Sequence, residues 1–185
     1  MTRIIGGAAR GRRLAVPAAG TRPTSDRARE GLFNTLAARI GLGGIRFLDL
    51  YAGSGAVGLE ALSRGAAATV LVESAPRALS ALRANIAALA LPGATVAAAA
   101  VRTHLSGPPP GEPYDAAFAD PPYAAPAEEV AALLRALARP GWIGRGGMVV
   151  IERSARSPEP EWVEPITGEF CRTYGEASLW YGRRP

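Results

Sequence analysis

Asp49-Leu50-Tyr51-Ala52-Gly53-Ser54-Gly55-Ala56-Val57-Gly58 follows the short run Arg46-Phe47-Leu48 and leads into a stretch of helical spacing. The run reads as a strand, and the spacing beyond the loop predicts a helix over about residues 56–63. Glycines at 53, 55 and 58 allow a tight turn and bring a ligand against bare backbone. Glu73 lies twenty residues past Gly53, at the end of a second apolar run, Thr69-Val70-Leu71-Val72. Strand, glycine loop, helix, strand and terminal acid make a βαβ unit whose acid can hold the hydroxyls of a ribose.

Two ligands carry such a ribose. A dinucleotide adds a pyrophosphate, which the Asp49 carboxylate at the end of the first strand would repel. S-adenosylmethionine adds an ammonium and a sulfonium, which that carboxylate suits. A dehydrogenase also needs a second apparatus for hydride transfer, and 185 residues leave no room for it. The loop therefore favours S-adenosylmethionine, with a nicotinamide-dependent oxidoreductase as the competing reading.

Toward the C-terminus helices and strands alternate. Helices are expected over residues 76–89, with proline in the first turn, and 126–138. Strands are expected over 94–101 (weakly, being alanine-rich), 114–119 and 147–152, with a proline- and glycine-rich loop at 107–113. Segments near 162–174 and 177–181 form a closing antiparallel hairpin. The pattern predicts an α/β, Rossmann-like fold: a mostly parallel seven-stranded sheet with helices on both faces. Toward the N-terminus, residues 3–16 read as a small β-hairpin. A connector runs to Pro23, and a helix capped by Ser25 or Asp26 runs to about Ile40, with Leu32, Phe33, Leu36 and Ile40 on its apolar side and Arg27, Arg29 and Asn34 on other faces. The expected division is a basic hairpin extension and connector, 1–23, and a catalytic domain, 24–185.

Asp120-Pro121-Pro122-Tyr123 follows the expected strand 114–119 and so falls at the same sheet edge as the glycine loop. Two prolines fix φ and remove two donors, leaving a carboxylate beside bare carbonyls, an acceptor-only cluster. Such a cluster matches an amino group, and Tyr123 can stack on a planar base. An exocyclic amine on a base is a poor nucleophile because its lone pair is delocalised. Hydrogen bonds to Asp120 and to the Pro121 carbonyl hold it in a form whose lone pair faces a methyl donor, and Asp120 can receive the departing proton.

All 21 basic residues are arginine, and residues 1–46 hold nine of them against two acids, while the rest of the chain holds twelve against fourteen. A basic end of this kind points to a polyanion, since the guanidinium fork pairs with phosphates. Arg3, Arg10, Arg12, Arg13, Arg22 and Arg27 are the candidate contacts. The single cysteine, Cys171, excludes an internal disulfide and is expected to be a buried structural thiol; with His104, placed near a strand end, it cannot build a closed zinc site, so no metal is expected. No apolar run reaches the ~20 residues of a membrane span, and the N-terminus lacks a signal-peptide core. A cytoplasmic monomer is expected.

On these motifs the chain resembles the class I methyltransferases, and more closely the bacterial 16S ribosomal RNA guanine-N2 methyltransferases of the RsmD type. The resemblance covers nearly the whole chain and rests on Arg3-Ile4-Ile5-Gly6-Gly7 with Arg10-Gly11-Arg12, on Arg22-Pro23-Thr24-Ser25-Asp26-Arg27-Ala28-Arg29-Glu30 with Phe33-Asn34, and on the two motifs above. The stretch 22–30 discriminates, because the Asp-Pro-Pro-Tyr motif is shared with DNA amino-methyltransferases and protein glutamine methyltransferases. The resemblance implies S-adenosylmethionine as cofactor and 16S rRNA, in the small ribosomal subunit or an assembly intermediate, as partner. It implies that Gly53, Gly55, Asp49 and Tyr51 lie against the cofactor, that Glu73 binds its ribose, and that Asp120, Pro121, Pro122 and Tyr123 hold the guanine amine. Thr24 and Arg27 would lie near the site, and the hairpin would contact RNA. One departure is that Ala99-Ala100-Val101-Arg102 offers no acid or amide for the adenine amino group. A DNA adenine-N6 or cytosine-N4 methyltransferase and a non-enzymatic RNA-binding assembly factor are the alternatives.

Overall fold

The computed structural model describes residues 2–17, 24–109 and 111–185. Arg22 and the connector as far as Pro23 lie outside the described residues. Seven strands form one sheet in the order β3-β2-β1-β4-β5-β7-β6, built from β1 (Arg46–Leu50), β2 (Ala68–Glu73), β3 (Ala94–Ala98), β4 (Tyr114–Ala119), β5 (Ile143–Ser154), β6 (Thr167–Tyr174) and β7 (Ala177–Arg183). β1 to β5 pair in parallel, and β7 enters antiparallel between β5 and β6. The order reverses at β1, so the carboxyl ends of β1 and β4 flank the crevice where such sheets bind ligands.

Helices cover both faces. α1 (Asp26–Ile40), α2 (Ala56–Ser63) and α3 (Pro76–Leu89) pack on one, where Leu32, Phe33 and Leu36 meet Phe47, Phe118 and Val150. α4 (Val101–Ser106) and α5 (Ala127–Ala138) pack on the other, where Leu105, Leu134 and Trp142 meet Leu48, Ala117 and Val149. Alternation along each strand sends neighbouring residues to opposite cores. Ser25 caps α1 by accepting the Ala28 N–H at 3.1 Å. Among the described residues no helix is long and apolar enough to cross a membrane.

The N-terminal hairpin is tied by a single antiparallel bridge, Arg3 to Arg13, and does not build extended strands. It lies on α2. Ile5 and Gly6 donate their N–H groups to the Glu60 carboxylate, each at 2.8 Å, and Ala9 donates to the Ser63 hydroxyl at 2.9 Å. Gly7 has φ of 78°, and a Cβ there would fall 1.8 Å from the Ser63 carbonyl oxygen, so the contact requires glycine. With the hairpin above it and the sheet below, all eight residues of α2 are buried.

Several expectations need correction. The strand expected over 94–101 ends at Ala98, and residues 101–106 form α4, which carries His104 against Trp142 rather than at a strand end. β3 is an edge strand with one partner, so its alanines gain too little to extend it past Ala98. β5 begins at Ile143, earlier than expected, and the stretch before Thr167 is not strand. Cys171 is half-buried, not enclosed. Arg29, expected on another face of α1, is fully buried, because the hairpin and α2 cover that face.

Candidate active site

The loop after β1 is shaped by backbone that L side chains rarely adopt: Tyr51, Gly53 and Gly55 all have positive φ, at 61°, 57° and 82°. A non-glycine residue held this way is uncommon and is kept there by its surroundings. Gly53 donates its N–H to Glu73 Oε2 at 2.8 Å, while Ser74 and Ala75 donate theirs to Oε1 at 2.7 and 2.8 Å. Glu73 is thus fixed at the end of β2 by three backbone donors. Each of its oxygens has two lone pairs, and the carboxylate lines the cavity below, where two adjacent hydroxyls would find acceptors.

Asp49 is enclosed, 1 % exposed, and accepts the Gly58 N–H at 2.8 Å, capping α2 from beneath. A side chain at position 58 would crowd this carboxylate at 3.0 Å. Burial pushes the Asp49 carboxyl up to about 7; the Gly58 N–H opposes this and the charge of Glu73 adds to it.

Beside the loop lies a cavity of about 930 Å³. The end of β2, residues 99–102, the end of α4 and one side of α5 along its length line it, with Val72, Ala100, Val101 and Leu133 as apolar walls and Glu73 as acceptor. Tyr51 closes one side, its hydroxyl donating to Glu129 Oε1 at 3.2 Å. The donor set fits S-adenosylmethionine: an acid for the ribose, apolar walls for the adenine, and backbone in place of an acid or amide near Ala100.

Asp120 follows β4 and its N–H reaches the Leu50 carbonyl at 3.4 Å, so the tetrapeptide leaves the sheet next to the glycine loop. Pro121 is buried, while Pro122 and Tyr123 are exposed. The loop turns back through a 2.7 Å bond from the Ala125 N–H to the Pro122 carbonyl, and Arg153 holds the Ala125 carbonyl at 2.9 Å. Thr24, expected near the site and counted with the arginines among the RNA contacts, is buried and donates its hydroxyl to Glu152 Oε2 at 2.7 Å, which leaves it out of reach of RNA.

Asp49, Tyr51, Gly53, Gly55, Glu73 and Asp120 therefore gather at the carboxyl ends of β1, β2 and β4. Arg3, Arg10, Arg12, Arg13 and Arg27 are exposed and none lines the cavity. Arg12 donates to the Ala88 carbonyl at 2.6 Å, which holds it along α3. Three residues passed over in the sequence belong to the arrangement. Glu152 ends the buried run Met148–Ile151, an acid at a strand's carboxyl end like Glu73, and that position was its signal. Glu129 left no such signal. Nor did Asn85, whose Nδ2 donates to the carbonyls of Ala15 and Ser54 at 2.9 and 2.8 Å and whose Oδ1 accepts the Ala15 N–H at 2.7 Å. One side chain so joins the hairpin to the glycine loop.

Residues 2–183 match the family model described as conserved hypothetical protein 95. The chain is 39% identical over 159 residues to the ribosomal RNA small subunit methyltransferase D of Escherichia coli (strain K12), covering 85% of this chain and 77% of that one. The solved structure of a hypothetical protein from Thermus thermophilus superposes with a TM-score of 0.82 at 40% identity, over 99% of both chains. A magnesium protoporphyrin IX methyltransferase from Synechocystis PCC 6803, solved with bound S-adenosylmethionine, shares the fold at 12% identity, with a TM-score of 0.67 over 86% of this chain and 79% of that one.

Proposed function

This chain belongs to the RsmD-type family of class I, S-adenosylmethionine-dependent methyltransferases, and from that premise we propose that it methylates the exocyclic N2 amine of a guanine in 16S ribosomal RNA, within the small ribosomal subunit or an assembly intermediate of it. The observation that carries the reading is the neighbourhood of Asp120: an acid and a proline-stiffened turn leave β4 beside the end of β1, whose glycine loop is bonded to Glu73, and Glu73 with Tyr51 lines a cavity that suits the cofactor. When bound, S-adenosylmethionine supplies an electrophilic methyl group. The chain's own residues do the rest.

Glu73 and the Gly53 backbone would hold the ribose, with Tyr51 at the cavity wall. Asp120 and the Pro121 carbonyl would accept the two N–H bonds of the base amine, which orients its lone pair and removes water from around it. Tyr123 would stack on the base. Asp120 would then take the proton that the methylated nitrogen releases. Residues 1–23 would act as a basic extension on the catalytic domain, with Arg3, Arg10, Arg12, Arg13, Arg22 and Arg27 set against RNA phosphates, where exposed guanidinium groups gain affinity by releasing counterions. Asp120→Asn keeps the shape and one accepting oxygen, and loses the carboxylate that can take the proton. It is expected to retain binding of S-adenosylmethionine and of small subunits while losing about 100-fold or more in transfer rate. Full activity in that variant would overturn the role of Asp120.

A further inference from the structure

A second acid stands beside Asp120. β4 and β5 are parallel with Ala119 aligned to Ile151, so Asp120 and Glu152 hold the next position on neighbouring strands, and aligned positions send side chains to the same face. That face is the one under α1, since Val150 packs with Leu32, Phe33 and Leu36. There Glu152 is 6 % exposed and accepts the Thr24 hydroxyl at 2.7 Å, just before the cap of α1. Arg153, the next residue, is pinned to the Ala125 carbonyl at the far end of the tetrapeptide loop. The end of β5 thus braces both the start of α1 and the loop that carries Asp120.

Glu152 is enclosed and Asp120 half-buried, and two carboxyl groups set together with little water between them do not both ionise readily. The Asp120 carboxyl is pushed up to about 8, first by burial and then by the charges of Glu152 and of Asp49 on β1, with Arg153 alone pulling the other way. Burial raises Glu152 as well, and the Thr24 hydroxyl, which stabilises its charged form, opposes this.

We propose that Glu152 is a positioning residue for the transfer: anchored by Thr24, it shares one proton with Asp120, and the pair, singly negative at rest, takes up the proton that the base amine loses. This rests on the amine-methylation reading given above. The nitrogen gains the methyl group that the sulfonium would give up in becoming a thioether, and loses one proton; Asp120 takes that proton on one oxygen as its resting proton passes from the other to Glu152, and the pair becomes neutral. The Thr24 bond decides where the resting proton lies. It favours the charge on Glu152 and so the proton on Asp120, one of whose oxygens still accepts from the amine. The charge that draws the proton away remains on the side of the pair that no substrate touches.

The test reads the carboxyl carbons directly. In the full-length protein without substrate, the Asp120 side-chain carbon is followed by ¹³C NMR against pH, in the wild type and in Glu152→Gln. The expected wild-type curve has two steps, the upper one near the value given for Asp120; the variant loses the upper step and titrates once, at lower pH. Thr24→Val keeps both carboxyls and is expected to move part of the upper step from Asp120 to Glu152. With small subunits as substrate, Glu152→Gln is expected to lower kcat by about 100-fold while KM and the affinity for S-adenosylmethionine stay within about twofold. An Asp120 curve that Glu152→Gln leaves unchanged, or a lost step with kcat intact, overturns the proposal. If the wild type transfers no methyl group to guanine, the guanine reading falls, while the NMR curves still decide whether the two acids share a proton.

Discussion

Arg29 and Glu60 meet at 3.6 Å with neither side chain exposed to solvent, and this pair fastens the N-terminal hairpin to α1 and α2. Glu60 also takes the N–H groups of Ile5 and Gly6 and the Arg64 Nε at 2.8 Å, while Arg29 donates to the Arg3 carbonyl and to Asp26. Burial pulls the Arg29 guanidinium below its ordinary range, and the charges of Glu60 and Asp26 pull it back. Removing one partner leaves the other charged and enclosed, which costs about 3–5 kcal/mol. Glu60→Ala is therefore expected to lose about that much in urea unfolding at pH 7. The double variant Arg29→Met with Glu60→Ala should recover part of the loss. A loss below about 1 kcal/mol would show that the hairpin is held by other contacts.

Asn85 links two elements that are far apart in sequence. Asn85→Ala frees the Ala15 N–H and carbonyl, which stand in a part-buried setting, and leaves the buried Ser54 carbonyl without this partner. Faster amide exchange at Ala15 is expected, together with a several-fold weaker affinity for S-adenosylmethionine by calorimetry, because Ser54 belongs to the glycine loop. An unchanged affinity would separate the hairpin from cofactor binding.

Asp49 gives a pH signature. Its folded midpoint, about 7, lies above the ordinary carboxyl value of 3.8, so its contribution favours the folded state below that ordinary value and is lost as pH rises through about 7. Asp49→Asn keeps an oxygen for the Gly58 N–H and cannot ionise. The variant is expected to match the wild type near pH 4 and to exceed it at pH 8, by an amount on the order of a few kcal/mol at most. Thermal unfolding from pH 4 to 8 checks this. Parallel curves for the two proteins would mean that Asp49 titrates normally.

What the sequence disclosed, and what it hid, follows from where each signal lies. The glycine loop, Glu73 and the Asp120 tetrapeptide were legible because their chemistry is local: a turn, a strand end, a pair of prolines. The alternation of helices and strands was legible because it repeats. Arg29 was not, since its burial depends on a hairpin and a helix that close over it from elsewhere in the chain. Thr24 and Glu152 are 128 positions apart and meet only in the folded sheet. Residues 94–106 misled because a run of alanines carries neither a period of two nor one of 3.6. The register of β3 against β2, and the turn at Ala99, decide that segment instead.

Arg10, Arg12 and Arg13 stand exposed on the hairpin. Replacing all three with glutamine is expected to weaken binding to 16S rRNA and to reduce the slope of log affinity against log salt by about 2–3. Fluorescence anisotropy across a salt series reads both. An unchanged slope would take the hairpin out of the RNA interface.

The most direct test of the central claim is to identify the methylated nucleoside. Purified protein and labelled S-adenosylmethionine are mixed with small ribosomal subunits from cells lacking the gene, with naked 16S rRNA and DNA alongside, and the products are digested and resolved by mass spectrometry. The account predicts label in N2-methylguanosine from the subunits, and incorporation slower by about 100-fold or more when Asp120 is replaced by asparagine. Label in another nucleoside, or in DNA alone, would contradict it.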